Sequence, residues 1–259
     1  MHRSSKISFT RVAIVCIAIA VILGGGWFFL LRDSGAPTNR AGNDIAKNQP
    51  SQTTFDKTRY SLADPASPWV IANKRRPLSP IDYAPPLATP NIPLRLAGGS
   101  PEMQVSTQMI PALEQLINGA KASGMQLMLA SGYRSYQQQI TVYNSEVKRF
   151  GQVTADRESA RPGHSEHQTG LAADIEPVNR QCEIAVCFGD LAEGKWLAAH
   201  AYEYGFIIRY PNGSEPTTGY TYEPWHIRYV GVNLSKELHA QGSPLLEDFF
   251  SLGAAPNYN

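Results

Sequence analysis

Two short segments of this chain hold residue types that bind a divalent metal and work beside it. The first, Arg161-Pro162-Gly163-His164-Ser165-Glu166-His167-Gln168-Thr169-Gly170-Leu171-Ala172-Ala173-Asp174, is polar and glycine-punctuated until it enters an apolar stretch. The second is Tyr222-Glu223-Pro224-Trp225-His226-Ile227-Arg228. A hydrolytic metal site needs three nitrogen or oxygen ligands, a fourth position open to water, and a base close to that water but off the metal. His167, Asp174 and His226 can supply the ligands, and Glu223 the base. His226 follows Glu223 by three residues with Pro224 between them. Proline has no amide N–H for a helix interior, so the pair belongs to a strand or turn end, not to a helical His-Glu-x-x-His motif. His164 is the rival ligand. His167 is preferred because Gly170 and the strand after it can turn Asp174 back towards it. Taken singly, each residue also has an ordinary explanation. A histidine is more often hydrogen-bonded than metal-bound, Asp174 can cap a turn, Glu223 can be solvated, and Arg134 can form a surface ion pair. Two His and one Asp can also hold divalent ions other than zinc. No Gly-x-Ser-x-Gly elbow and no phosphate-binding glycine loop offers a competing chemistry.

The elements that must position these residues follow from periodicity. Pro111 suits the first turn of a helix; Leu113, Leu116, Ile117 and Ala120 share one face, and Gly124 ends it. Met125–Ala130 reads as a short buried strand, followed by the turn Ser131-Gly132-Tyr133-Arg134-Ser135. A helix from Tyr136 to Phe150 comes next, with Ile140, Tyr143 and Val147 inward. Ala172–Ile175, Phe206–Tyr210 and Trp225–Val230 read as strands, Lys195–Tyr204 and Leu234–Gln241 as helices. This order predicts an α+β fold, a small, largely antiparallel sheet flanked by helices. The proline-rich stretch Trp69–Ile92 reads as an extended arm packed over the domain surface.

Upstream, Val12 to Leu31 is a run of 20 uncharged, mostly apolar residues. At about 1.5 Å per residue a helix of that length spans roughly 30 Å, the thickness of a bilayer core. Arg3, Lys6 and Arg11 precede it, which predicts a cytoplasmic segment 1–11 and a transmembrane helix over 12–31. A cleaved signal peptide is the rival reading. The run is longer than a usual signal core and Trp27-Phe28-Phe29 is a poor cleavage site, so an uncleaved signal anchor is expected. Residues 32–67 have the polar composition of a flexible linker. The domain is expected over 68–252 and a tail over 253–259. Cys182 and Cys187 can close a small disulfide loop in an oxidising compartment, the alternative being two reduced thiols. A net charge of +1 gives no reason to expect a nucleic-acid partner.

Ser131-Gly132-Tyr133-Arg134-Ser135-Tyr136-Gln137-Gln138-Gln139, His164 to Asp174, and Glu223-Pro224-Trp225-His226 resemble the three signatures of the vancomycin-resistance-type D-alanyl-D-alanine carboxypeptidases. These are zinc peptidases grouped with lysostaphin and the hedgehog signalling domain, and the likeness runs roughly from Trp69 to Phe250. The resemblance implies a hedgehog/D,D-peptidase-like fold in which His167, Asp174 and His226 bind Zn2+ and Glu223 is the general base. It further implies that Arg134 stabilises the polarised scissile carbonyl, and that Ser165 and Gln139 lie near the substrate's terminal D-alanine. The implied activity is removal of that D-alanine from peptidoglycan stem peptides, outside a bacterial cell membrane to which the N-terminal helix attaches the enzyme. An L,D-carboxypeptidase acting on tetrapeptide stems would use the same residues. A non-catalytic, metal-bearing wall-binding module is a different class, and it has no need of Glu223.

Overall fold

The computed structural model describes residues 55–242 and 245–258. The basic segment, the apolar run Val12–Leu31 and the first part of the expected linker lie outside the described residues. Among the described residues, no helix is long and apolar enough to cross a membrane.

The first residues of the arm enter the core, while residues 79–82 lie at the surface. Trp69, Val70, Ile71 and Ala72 are at most 2% exposed. The Trp69 indole N–H donates to the Val230 carbonyl, and Arg228 donates to the carbonyls of Pro68 and Val70. Proline content correctly signals an extended chain but is silent about depth. Consecutive apolar side chains have no solvent face to offer, so the stretch from Trp69 to Ala72 is buried on both sides.

Beyond the arm, β1 (Leu87–Ala88) pairs antiparallel with β2 (Val105–Ser106). Helix α1 (Ile110–Ala122) buries Leu113, Leu116, Ile117 and Ala120. β3 (Leu127–Ser131) leads through a turn to α2 (Tyr136–Phe150), whose start is a capping box: Ser135 Oγ accepts the Gln138 N–H while Gln138 accepts the Ser135 N–H. A short helix not expected from the sequence, α3 (Gln152–Glu158), follows Gly151. Then come β4 (Ala172–Pro177), α4 (Ala192–His200), β5 (Phe206–Tyr210), α5 (Glu215–Thr218), β6 (Glu223–Tyr229), α6 (Val232–Ala240) and α7 (Leu246–Phe249). The expected helix over Lys195–Tyr204 is in fact α4 and a separate 3-10 turn, Ala201–Tyr204.

Four strands form one sheet in the order β3-β4-β6-β5, every pairing antiparallel. Side chains alternate between its faces. Leu127, Leu129, Ala173, Ile175, Phe206 and Ile227 point to the apolar core shared with α1 and α4. Their neighbours Asp174, His226, Arg228 and Arg209 therefore point the other way, towards the face that also carries Ile207 and α6. This alternation gathers the charged strand residues on one face.

The domain extends further in both directions than composition suggested. Phe55, expected in the linker, stacks on Trp69 at 5.6 Å and meets Phe249 edge-on at 5.7 Å. In the expected tail, Ala255 is buried and its N–H donates to the Thr217 carbonyl. Both ends of the 68–252 boundary are thus corrected. Averaging over a polar window hides a single aromatic anchor, and one anchor is enough to order the chain beside it.

Candidate metal centre

Antiparallel register places Asp174 on β4 directly opposite His226 on β6. His167 reaches them from a 3-10 turn, Glu166–Thr169, that ends at Gly170 in the left-handed region (φ 66°). A Cβ on Gly170 would sit 2.8 Å from the Ser106 backbone nitrogen, so glycine is needed there for both conformation and space. Glu223 opens β6, opposite Tyr210 of β5. All three expected ligands and the expected base are thus brought together.

His167 Nε2 lies 3.4 Å from Asp174 Oδ2, and His226 Nδ1 lies 3.2 Å from Asp174 Oδ1. The ligand atoms all fall within 4.8 Å of one another, and Glu223 Oε2 stands 3.6 Å from His226 Nδ1. In a tetrahedral site with bonds near 2.0–2.1 Å, ligand atoms sit about 3.3 Å apart, so the spacing fits zinc. Asp174 Oδ1 is buried without a hydrogen bond, a costly state unless a cation completes it. The histidine ring edges turned away from this point are occupied. His167 Nδ1 is 2.6 Å from the Gly132 carbonyl, and His226 Nε2 is 3.4 Å from Glu166 Oε2. An acceptor on one ring nitrogen leaves the lone pair of the other free. His167 would therefore bind through Nε2 and His226 through Nδ1.

Glu166, Arg209, Arg228 and Glu247 are absent from the residues expected to matter. Glu166 Oε1 accepts from Arg209 Nε at 2.8 Å and Arg228 Nη1 at 3.0 Å, and Arg209 makes two further bonds to Glu247. All four are fully buried. The available signal was an arginine inside each of two otherwise apolar strand runs, since arginine is almost never buried unless paired. Burial opposes ionisation of Glu166, but Arg209 and Arg228 overcome it and hold the carboxyl far below its usual range. Burial likewise opposes Asp174, and His167 and His226 hold it low. Glu223 goes the other way. Burial, reinforced by the Asp174 and Glu166 charges, outweighs His226 and Arg134 and pushes it up to about 8. Burial also disfavours a charged His226, but Asp174 and Glu166 raise it to about 10. In the metal-free protein a proton thus serves as the local counter-charge.

The cluster opens into a cavity of about 210 Å³ lined by residues including Arg134, Ser165, Tyr210, Tyr220, Glu223 and Trp225. Arg134 is held by Ser131 Oγ and Gln139 Oε1. Gln139 is itself fully buried, donating to Ser159 Oγ and the Ala160 carbonyl, and lies behind Arg134 instead of lining the cavity. It braces the arginine. His164, the rival ligand, sets Nδ1 2.7 Å from the Asn73 carbonyl and stays outside the metal cluster. Cys182 and Cys187 are joined, and Ile184 from their loop lines the same cavity.

An α+β fold carrying a His/Asp/His cluster, with a largely buried carboxylate beside it in a cavity, defines a zinc peptidase site. Residues 102–232 match the family model described as VanY, D-alanyl-D-alanine carboxypeptidase. YodJ of Bacillus subtilis strain 168 is 37% identical over 209 residues, 80% of this chain and 73% of that protein. Among solved structures, the LD-carboxypeptidase LdcB matches with a TM-score of 0.68 at 38% identity, covering 72% of this chain and 87% of that one. A mutant of the D,D-pentapeptidase VanY from a VanB-type resistance cassette, in complex with Zn(II), matches at 0.59 and 30% identity, covering 70% and 97%. The chain belongs to the VanY D-alanyl-D-alanine carboxypeptidase family, and it is a zinc metallocarboxypeptidase.

Proposed function

We propose that this enzyme releases the terminal D-alanine of peptidoglycan stem peptides, and that tetrapeptide stems, cut at an L-centre–D-Ala bond, are its preferred substrate. The observation that carries the L,D preference is the likeness to LdcB, which exceeds that to the D,D-pentapeptidase VanY in both identity and TM-score. The D,D reading, on stems ending in D-Ala-D-Ala, is the rival, favoured by the description of the matching family.

His167, Asp174 and His226 hold the metal in this reading. Zinc, when bound, supplies Lewis acidity and makes a water acidic enough to ionise near neutral pH. Glu223 takes a proton from the attacking water and returns it to the departing amine. A base must be ionised, and a divalent cation beside Glu223 lowers its pKa from the metal-free position. Arg134 lies against the carbonyl oxygen as negative charge develops there; one such fixed donor is worth on the order of 3 kcal/mol of barrier. Ser165, buried on the cavity wall, faces the substrate's carboxylate end. The apolar run and basic start of the sequence, together with the Cys182–Cys187 disulfide, support a membrane-anchored enzyme whose domain works outside the cell.

Zinc-loaded protein is to be incubated with a stem ending in D-Ala-D-Ala and with a tetrapeptide stem ending in one D-Ala, and free D-alanine counted. Faster release from the tetrapeptide, abolished by Glu223→Ala, is expected. Faster release from the pentapeptide would reverse the specificity reading, and none from either would remove the substrate class.

A further inference from the structure

The segment after α7 is tied to the loops that lead into the metal site. The Ala255 N–H donates to the Thr217 carbonyl at 2.7 Å, and Lys74 Nζ bridges the carbonyls of Gly219 and Pro256 at 2.6 and 3.2 Å. The last tie is the phenol of Tyr258. Its oxygen accepts the Arg161 N–H at 2.7 Å and stands 3.1 Å from the hydroxyl of buried Tyr220. Arg161 begins the loop that enters Ser165 and His167, and Tyr220 lies three residues before Glu223. One hydroxyl therefore joins the two segments that carry the two halves of the site.

The surroundings leave this phenol little freedom. The Arg161 guanidinium, fixed by two hydrogen bonds to Asp156, lies 4.2 Å over the Tyr258 ring, and the His164 ring meets it edge-on at 5.1 Å. On the far side, Tyr220 packs on Tyr210 at 4.8 Å, and Tyr210 on His226 at 5.0 Å. Tyr220 and Tyr210 both line the substrate cavity, as does Ala160, the neighbour of Arg161.

We propose that Tyr258 is a positioning residue: its hydroxyl sets the separation between the loop entering His167 and the loop entering Glu223, and thereby the width of the substrate cavity. The inference rests on the carboxypeptidase reading of that cavity. The metal ligands themselves are placed by the β4–β6 register and by the carbonyl and carboxylate behind each histidine, none of which involves Tyr258. Loss of the hydroxyl therefore acts on substrate fit and leaves the metal alone.

Tyr258→Phe keeps the ring and removes both hydrogen bonds. On whichever stem the wild type cleaves, KM is expected to rise about fivefold, the factor one hydrogen bond of ordinary net strength supplies, with kcat nearly unchanged. Zinc affinity, by competition with a chelator, should stay at the wild-type value, and the Arg161 amide should exchange its hydrogen faster. An unchanged KM would overturn the proposal, and so would a joint loss of kcat, KM and zinc affinity, which marks general damage. Should the wild type cleave neither stem, the substrate reading fails separately, and amide exchange at Arg161 still decides whether the bridge holds the loops: unchanged protection there overturns it.

Discussion

Two clusters of buried charge occupy the same face of the sheet and are built to opposite rules. In one, Glu166 and Glu247 face Arg209 and Arg228, carboxylates and guanidiniums match in number, and all four side chains are hydrogen-bonded. In the other, Asp174 and Glu223 face two histidines and a tethered Arg134, and Asp174 Oδ1 has no hydrogen bond. The first is electrically complete and needs nothing further. The second, without metal, is balanced by protons on Glu223 and His226, in the place that zinc takes. Glu166 belongs to both: one carboxylate oxygen closes the ion network while the other sits behind His226. At Asp174 the unsatisfied oxygen belongs to the working site, and the hydrogen-bonded ion network beside it is the support.

The contrast can be broken at several points. Glu223→Ala removes a member of the open cluster that no fold element depends on. Its kcat should fall by roughly 10²–10⁴, the usual range for a general base, while the melting temperature and bound zinc hold. A loss of zinc alongside activity would mean that Glu223 is a ligand. Glu166→Gln strikes the shared member. Zinc affinity should drop about 10–100-fold as His226 loses its orienting partner, and stability should fall with it. Retained affinity, measured with a chromophoric chelator, would separate the two clusters completely. Glu247→Gln touches only the closed network and leaves Arg209 short of a counter-charge. A stability loss of roughly 3–5 kcal/mol by denaturant unfolding is expected, with zinc affinity unaltered in the folded protein.

The smallest effect expected is in the pH dependence of stability, where the clusters pull in opposite directions. Burial opposes ionisation of Glu247 too, yet Arg209 holds its carboxyl below the usual range, as it does that of Glu166. The stability these contribute is present above the unfolded carboxylate value, about 4.3, and is lost as pH falls through the folded one. Glu223 and His226 are raised, to about 8 from 4.5 and to about 10 from 6.5. Their contribution is complete below the unfolded values and is lost as pH rises through the folded ones. Metal-free protein should therefore lose stability towards alkaline pH more steeply than zinc-loaded protein, in which the cation has replaced the proton. Melting curves across pH with and without chelator test this, and parallel profiles would show that the open cluster is not charge-coupled to the metal.

Much of the architecture was legible in the chain. Leu113, Leu116, Ile117 and Ala120 announce α1; the spacing of Ile140, Tyr143 and Val147 announces α2, which runs over the expected residues. Local signals of this kind survive folding because capping and amphipathicity are satisfied within a few residues. The choice of His167 over His164 was legible only through Gly170, whose turn brings its loop back to β4. That Gln139 braces Arg134 was not legible, because motif spacing does not say which neighbour an arginine will bond. Burial of the stretch from Trp69 to Ala72, the packing of Phe55 and the bonds made by Tyr258 depend on partners far along the chain, so local composition could not show them.

The sequence by itself determined the donor set, the candidate base, the four strands of the sheet and the family, because residue chemistry and short-range periodicity are properties of the chain. Tertiary structure alone decided that Asp174 stands opposite His226, that Glu166 is shared between two charge clusters, and which nitrogen of each histidine is free for the metal. Those outcomes arise from strand register and from the desolvation of charges brought together, and neither exists until distant segments pack.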